Sequence, residues 1–391
     1  MLFHPCTIDP TPTEVCRLPS AASKPSSYIP GLDGIRAIAF LLVFSAHALL
    51  GLSYYIPATL GVTIFFFLSG YLITTLLRRE FAATGTIALR DFYLRRVLRI
   101  FIPLYIVYAL AMLGAHFLTH QSPGNLFGFA SVYLYFHNYT IALRAHAFTP
   151  PGMELVWSLS VEEHFYLLFP LAYFTMLRRG LSARSQARLL IGFCLLELAW
   201  RVVLIAWIKP AGPWTYVATD ARLDSILWGS VLAVRNNPAI STDRSILPRN
   251  YELLCFLLAV AGLVATLIPR SDLYRGTLRY TLQPLTLYVI FSFLIRHIRH
   301  PLARWLEWLP LRYIGWTSYV LYLCHDFFLY AIQPPLAAHP LLVVVFGFAA
   351  ALGFATLMRY TVEQPVQRLR ARLRHLVPNN PVNLGPREQT T

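Results

Sequence analysis

GVTIFFFLSGYLITTLL, residues 61–77, runs without one acidic, basic or imidazole side chain. Crossing the hydrocarbon layer of a bilayer takes about 20 predominantly apolar residues in a helix, and this stretch nearly fills that length. Comparable stretches lie at 35–54, 98–118, 157–177, 187–208, 222–235, 252–268, 280–296, 313–332 and 340–360. Of 391 residues, 57% are hydrophobic and 13% charged, with a mean hydropathy of +0.54, where soluble domains carry about 25% charged residues. A water-soluble chain could not cover that much apolar surface. The sequence therefore predicts an all-α fold, a polytopic integral membrane helix bundle of about ten transmembrane helices.

The net charge of +15 could point to nucleic acid, but the basic residues fall in short clusters between apolar runs. They read as topology signals, since loops on the cytoplasmic side are enriched in Lys and Arg. Five clusters, around Arg78–Arg99, Arg178–Arg188, Arg235–Arg249, Arg296–Arg304 and Arg368–Arg374, share one side only if the short apolar stretch 126–139 does not cross. That choice gives ten spans, both termini in the cytoplasm and a multi-pass protein of the inner (cytoplasmic) membrane. The outer loops are then 55–59, 119–156, 209–221, 269–279 and 333–339. Arg270, Arg275 and Arg279 in one outer loop break the pattern. Residues 1–29, rich in Pro, Ser and Thr, and residues 373–391 are expected as disordered cytoplasmic tails around a membrane domain at 30–372, with no cleavable signal peptide. The five cysteines form no CxxC pair and no spacing suited to zinc, so no metal is expected. No internal repeat is seen, which weighs against the paired halves of many transporters. Nothing in the residue pattern sets an oligomeric state.

Ionisable residues inside the apolar spans mark candidate sites. In GLDGIRAIAFLLVFSAH, residues 31–47, Arg36 and His47 stand eleven positions apart. At about 100° per residue that is three turns plus roughly 20°, so both project from one helix face, about 16 Å apart along the axis. His47 is a candidate general base, against the plainer alternative of a histidine bonded to a neighbouring helix. WSLSVEEHFYLLFP, residues 157–170, opens the next polar span with Glu162, Glu163 and His164. Adjacent positions diverge by about 100°, so one of the two glutamates is expected to face the bundle centre and to orient His47; the alternative is a solvated interfacial pair. TDARLDS, residues 219–225, brings Asp220, Arg222 and Asp224 to the same depth, and His325 with Asp326 follow at 317–330. Arg222, Asp224 and His325 are candidate substrate contacts, with an isolated salt bridge as the alternative for the first two. RDFYLRRVLRIFIPLY, residues 90–105, gathers Arg90, Arg95, Arg96 and Arg99 on the cytoplasmic side. Arginine clusters bind phosphates through paired hydrogen bonds, although positive-inside sorting alone would also place them there. Gly61, Ser69 and Gly70 are expected as small positions where helices approach closely.

These motifs together resemble the membrane-bound acyltransferase family 3. GLDGIRAIAFLLVFSAH is similar to its Arg and His separated by ten residues, GVTIFFFLSGYLIT to its second-helix motif, RDFYLRRVLRIFIPLY to its basic loop and WSLSVEEHFYLLFP to its Trp-Ser-Leu-x-x-Glu segment. Weaker matches at ARLDSILWGSVLA, TSYVLYLCHDFFLY and VEQPVQRLR extend the similarity over about residues 28–372. Thr63 stands where the family often has Asp, His164 where it often has Gln and Cys324 where it often has an aromatic residue. The chain is also expected to lack the esterase-like domain that some members append. The resemblance implies an O-acyltransferase moving a short acyl group, most often acetyl from acetyl-coenzyme A or another acyl-CoA, onto a hydroxyl of a carbohydrate, glycolipid or other small-molecule acceptor. Direct transfer and a covalent acyl-enzyme both stand open. The alternative from another class is a transporter or flippase for an envelope glycan intermediate.

Overall fold

Over its described residues each of the ten apolar stretches coincides with a helix in the computed structural model, which describes residues 28–49, 55–117, 124–145, 148–210, 212–240, 245, 247–333, 336, 338–366 and 368; positions 50–54 and 118 of the predicted spans lie outside them. The helices are α1 Leu32–Ala48, α2 Ala58–Thr84, α3 Leu89–Phe117, α4 Leu126–Tyr133, α5 His137–Ala142, α6 Trp157–Arg178, α7 Ala183–Val203, α8 Trp214–Val217, α9 Leu223–Arg235, α10 Glu252–Ala265, α11 Asp272–Gly276, α12 Leu278–Arg296, α13 Pro301–Arg304, α14 Leu309–Ile332 and α15 Pro340–Met358. No strand occurs among the described residues. Wider turns lengthen α7 through Leu204–Ile208 and α15 through Arg359–Glu363. Among the described residues five helices are long and apolar enough to cross a membrane: Ala58–Thr84, Leu89–Phe117, Ala183–Ile208, Leu278–Arg296 and Pro340–Val366. The other predicted spans depart from that standard in two ways. With 17, 13 and 14 residues, α1, α9 and α10 are short, whereas α6 and α14 are long enough but carry polar candidates inside the bundle.

The doubtful stretch at 126–139 folds as α4 and α5, of 8 and 6 residues. At 1.5 Å per residue these span roughly 12 Å and 9 Å, far short of a crossing. Tyr135 separates them with φ 57, a left-handed conformation that a non-glycine residue adopts only where the chain must turn. Asn125 caps α4 by accepting from Gly128 N at 2.7 Å. These short helices, the 3-10 turn Glu154–Val156 and the segment 212–221 share the face where α1 ends and α2 begins, here termed the cap face. The opposite face carries the described members of the arginine clusters, among them Arg78 toward the end of α2, Arg95 near the start of α3, Arg178 at the end of α6, Arg235 at the end of α9 and Arg296 at the end of α12. Of the tails expected to be disordered, nearly all lies outside the described residues, but Tyr28 and Ile29 are ordered. The Tyr28 hydroxyl donates to Glu307 Oε2 at 2.8 Å, Gly31 N donates to Glu307 Oε1 at 2.5 Å, and Ile29 is buried.

Small residues bring the central helices together, as expected at Gly61 and Gly70. A Cβ on Gly70 would strike the Ile226 carbonyl of α9, and one on Gly229 of α9 would strike the Phe67 carbonyl of α2. Gly61 meets the Ala39 carbonyl of α1, and Gly315 of α14 meets the Asp33 carbonyl of α1. Without a hydrophobic drive between helices in lipid, such close backbone approach supplies the packing attraction. Ser69 departs from its expected role and turns its hydroxyl to Tyr166 at 2.8 Å.

Candidate active site

A cavity of about 110 Å³ runs between α1, α2, α3, α6 and α14. Arg36, Arg96 and Arg99 line it toward the arginine-rich face, and Val62 and Ser158, near the starts of α2 and α6, line it toward the cap face. Its volume is well below the ~300 Å³ of pockets that enclose drug-sized ligands, so it suits a slender chain. On α14, Gly315, Tyr319 and Tyr322 recur at intervals of four and three along this wall, the spacing of one helix face.

The four expected donor-binding arginines divide. Arg96 lines the cavity with its guanidinium 3.5 Å from the centre of the Tyr166 ring, a cation–π contact. Arg99, one turn on, lines it as well. Arg95 instead pairs with Glu80 at 3.7 Å, and Arg90 is exposed outside the cavity. The helical period does not by itself make this division, since 99 stands about 60° from 96 and about 40° from 95 around the helix; the contact with Glu80 is what turns the Arg95 guanidinium away from the cavity. Arg36 pairs with Asp33 at 3.2 Å, and Asp33 also accepts from Trp316 Nε1 at 2.7 Å. That network fixes Arg36 at the cavity rim.

Glu162 and Glu163 both line the cavity, although adjacent positions were expected to send one of them away. The cavity wraps around enough of α6 for both carboxylates to reach it. Tyr166 donates to Glu162 Oε2 at 2.8 Å. The hydrogen bond of Glu162 goes to Tyr166 and that of His47 to another ring. The partner of His47 among the described residues is His325, with Nδ1 of His47 3.0 Å from Nε2 of His325. The two ring planes differ by 5° and the centroids lie 5.2 Å apart, which with that N···N distance places the rings end to end in nearly one plane. Asp326 Oδ1 stands 3.8 Å from the same Nδ1. His325 is fully buried, edge-on to Phe40 at 5.5 Å and 5.9 Å from Tyr322. Tyr322 in turn shares a 2.8 Å hydrogen bond with Ser158. The cavity wall thus leads from the arginines to the histidine pair.

The cap closes on this point. Gly152, at φ 76, lies against the Asp326–Phe327 backbone, where a Cβ would collide with Phe327 N. Glu154, two residues on, stands close enough to Asp326 for their carboxylates to repel. Elsewhere in the cap, His164 Nδ1 meets Thr219 Oγ1 at 2.7 Å, and Asp220 accepts from Trp200 and Trp214. His137 is buried, with Nδ1 2.9 Å from Ser131 Oγ and 3.1 Å from Thr140 Oγ1. Both hydroxyls already donate to carbonyls, so the imidazole donates from Nδ1. Burial pushes its pKa down to about 4.

Arg222 and Asp224 do not reach the cavity. Both are fully buried, and they do not pair with each other. Asp224 binds Arg201 of α7 at 2.6 Å, accepts from Thr281 at 3.0 Å, and its backbone N–H donates to Glu197. Arg222 donates to Thr63 at 3.2 Å and lies 3.9 Å from the Tyr280 ring centre. The hydroxyl of Thr63 therefore occupies the place where a carboxylate would face the guanidinium. Arg201 and Glu197 went unmarked in the sequence, though two ionisable residues four apart in an apolar span are a legible signal. Among the described residues no three His, Cys, Asp or Glu side chains gather as a metal cage.

Residues 29–360 match the family model described as an acyltransferase domain. The chain is 29% identical over 316 residues to the peptidoglycan O-acetyltransferase OatA of Listeria monocytogenes, covering 76% of this chain and 49% of that protein. It is 31% identical over 319 residues to the putative peptidoglycan O-acetyltransferase YrhL of Bacillus subtilis, covering 76% and 48%. A putative O-acetyltransferase of Staphylococcus aureus is 30% identical over 322 residues, covering 77% and 51%. The chain thus spans about half the length of the curated relatives it matches. No solved structure matches it. With the family model covering residues 29–360 and the motif residues Arg36, Arg96 and Glu162 lining one cavity, this chain belongs to the acyltransferase family 3.

Proposed function

We propose that this chain is a membrane O-acyltransferase that moves a short acyl group, acetyl from acetyl-coenzyme A, onto a hydroxyl of a cell-envelope carbohydrate. The observation that carries the reading is the cavity that joins Arg36, Arg96 and Arg99 at one end to the Ser158–Tyr322 pair beside the histidines at the other. The coenzyme is polyanionic, and planar guanidinium groups suit its phosphates. Its bulky nucleotide stays at the arginine-rich rim, and its thioester arm extends up the cavity toward His47, about 16 Å along α1 from Arg36. The carbohydrate arrives from the cap face, where His47 is half-buried beside Asp326.

In the transfer, His47 takes the proton of the acceptor hydroxyl as that oxygen bonds to the thioester carbonyl carbon. The tetrahedral adduct collapses with cleavage of the C–S bond, and the departing thiolate regains the proton from the imidazolium. Asp326 lowers the cost of the transient positive charge on His47. In this scheme the acceptor oxygen itself is the nucleophile, and His47 is the group that activates it. With both termini in the cytoplasm of an inner-membrane protein, the donor would bind where it is made and the acceptor on the outer side. The names of the relatives support a peptidoglycan-type acceptor.

The test is transfer of radiolabelled acetyl from acetyl-coenzyme A to purified cell-wall glycan fragments by the protein in lipid nanodiscs. Label should enter the acceptor as an alkali-labile ester. Folded protein that transfers no label from acyl-coenzyme A of several chain lengths would replace this reading with that of a carrier for an envelope glycan.

A further inference from the structure

The arrangement around His47 contains an element that general-base catalysis requires and that neither glutamate supplies. A neutral imidazole is a base at one nitrogen only, and which one is decided by the partner of the other. We propose that His325 is a positioning residue that holds His47 in the tautomer with its proton on Nδ1 and a bare, basic Nε2; this rests on the reading of His47 as the general base.

The derivation runs through hydrogen-bond direction. His325 Nδ1 faces two backbone carbonyls, Tyr322 O at 2.9 Å and Leu321 O at 3.2 Å. Carbonyls only accept, so Nδ1 of His325 carries a proton. A second proton would place a cation at a fully buried site against Phe40, Phe44 and Tyr322, at the high cost of an isolated buried charge. Nε2 of His325 is therefore a lone pair, aimed in the ring plane at Nδ1 of His47 across 3.0 Å. The other group near that Nδ1 is the Asp326 carboxylate at 3.8 Å, also an acceptor. Both neighbours demand a donor, so His47 holds its proton on Nδ1 and leaves Nε2 free for the acceptor hydroxyl. A buried carboxylate performs this duty in Ser-His-Asp triads. Here a neutral imidazole does so, itself fixed by the backbone of α14.

Two measurements test this on the full-length protein in nanodiscs. In the parent, 15N shifts of labelled histidine should assign the His47 proton to Nδ1; a proton on Nε2 would overturn the proposal without reference to activity. His325→Leu should lower kcat by about 100- to 10,000-fold, the range for a misdirected base, with KM for donor and acceptor nearly unchanged. His325→Gln can accept from His47 through its amide oxygen while donating to the Tyr322 carbonyl, and should recover roughly a tenth or more of the parental kcat. Parental turnover in His325→Leu would overturn the inference alone. Parental turnover in His47→Ala would overturn the reading of His47 as base, so the two failures are distinguishable. If His325→Leu does not fold, a Gln variant as inactive as His47→Ala would refute the positioning role.

Discussion

Changing Arg96 to Gln removes a planar cation from the cavity wall while leaving α3 intact. In the proposed complex this guanidinium gives at least one charge-assisted hydrogen bond to a donor phosphate, worth about 1.5–3 kcal/mol. At 1.4 kcal/mol per tenfold, donor affinity should fall by about 10- to 150-fold. Arg95 spends its charge on Glu80 at 3.7 Å, and Arg90 is exposed away from the cavity. Exposed pairs contribute about 0–1 kcal/mol, so Arg90→Gln and Arg95→Gln should weaken donor binding by less than about fivefold. Arg96→Lys keeps the charge but loses the flat face held 3.5 Å from the Tyr166 ring centre, and should fall between the two. Calorimetric titration of coenzyme A into each variant in nanodiscs gives the affinities. Equal losses at positions 90, 95 and 96, or no loss at 96, would refute the division of the cluster into cavity-facing and outward-facing members.

His47→Ala should lower turnover at saturating donor by about 100- to 10,000-fold, measured on protein whose melting temperature matches the parent. Asp224→Asn leaves Arg201 buried opposite a neutral amide and should cost about 3–5 kcal/mol, seen as a fall in melting temperature in detergent; the double variant Arg201→Met with Asp224→Leu should be more stable than either single one. Burial holds His137 at about 4, below the ordinary imidazole value of 6.5, so the unfolded cap takes up the proton first. Stability that is complete above pH 6.5 should drain away as pH falls toward 4, by on the order of 3 kcal/mol. Hydrogen exchange of residues 126–142, corrected for intrinsic rates, should report that loss, and His137→Gln should abolish its pH dependence.

The ten helices were legible because lipid leaves a chain few options: long apolar runs must be helical, and arginine placement implied that 126–139 does not cross. The cavity-lining arginine and glutamates were legible for a related reason, since Arg36, Glu162 and Glu163 are costly in a membrane unless they face a cavity or one another. Partners were not legible. Asp224 stands two residues from Arg222 yet binds Arg201, because sequence proximity in a helix puts i and i+2 on different faces. The glutamates shared an inferred depth with His47 but lie around the cavity, whereas the imidazole of His325 comes from α14, a long-range contact that no local period encodes. Tyr166, Tyr319 and Tyr322 look like interfacial aromatics in sequence, and only the packing shows that they line the route to the histidines.

The glycine contacts have a consequence for how the bundle moves. Where backbones touch at Gly70 and Gly229, no side chain is left to change rotamer, and a packed core shifts between discrete arrangements instead of stretching. Helices α2 and α9 therefore travel as one body, and Gly315 against the Asp33 carbonyl joins α14 to α1 in the same way. These two stiff pairs frame the cavity on one side. Its remaining walls, α3 and α6, meet it through long side chains such as Arg96 and Tyr166, which can change rotamer where the glycine contacts cannot.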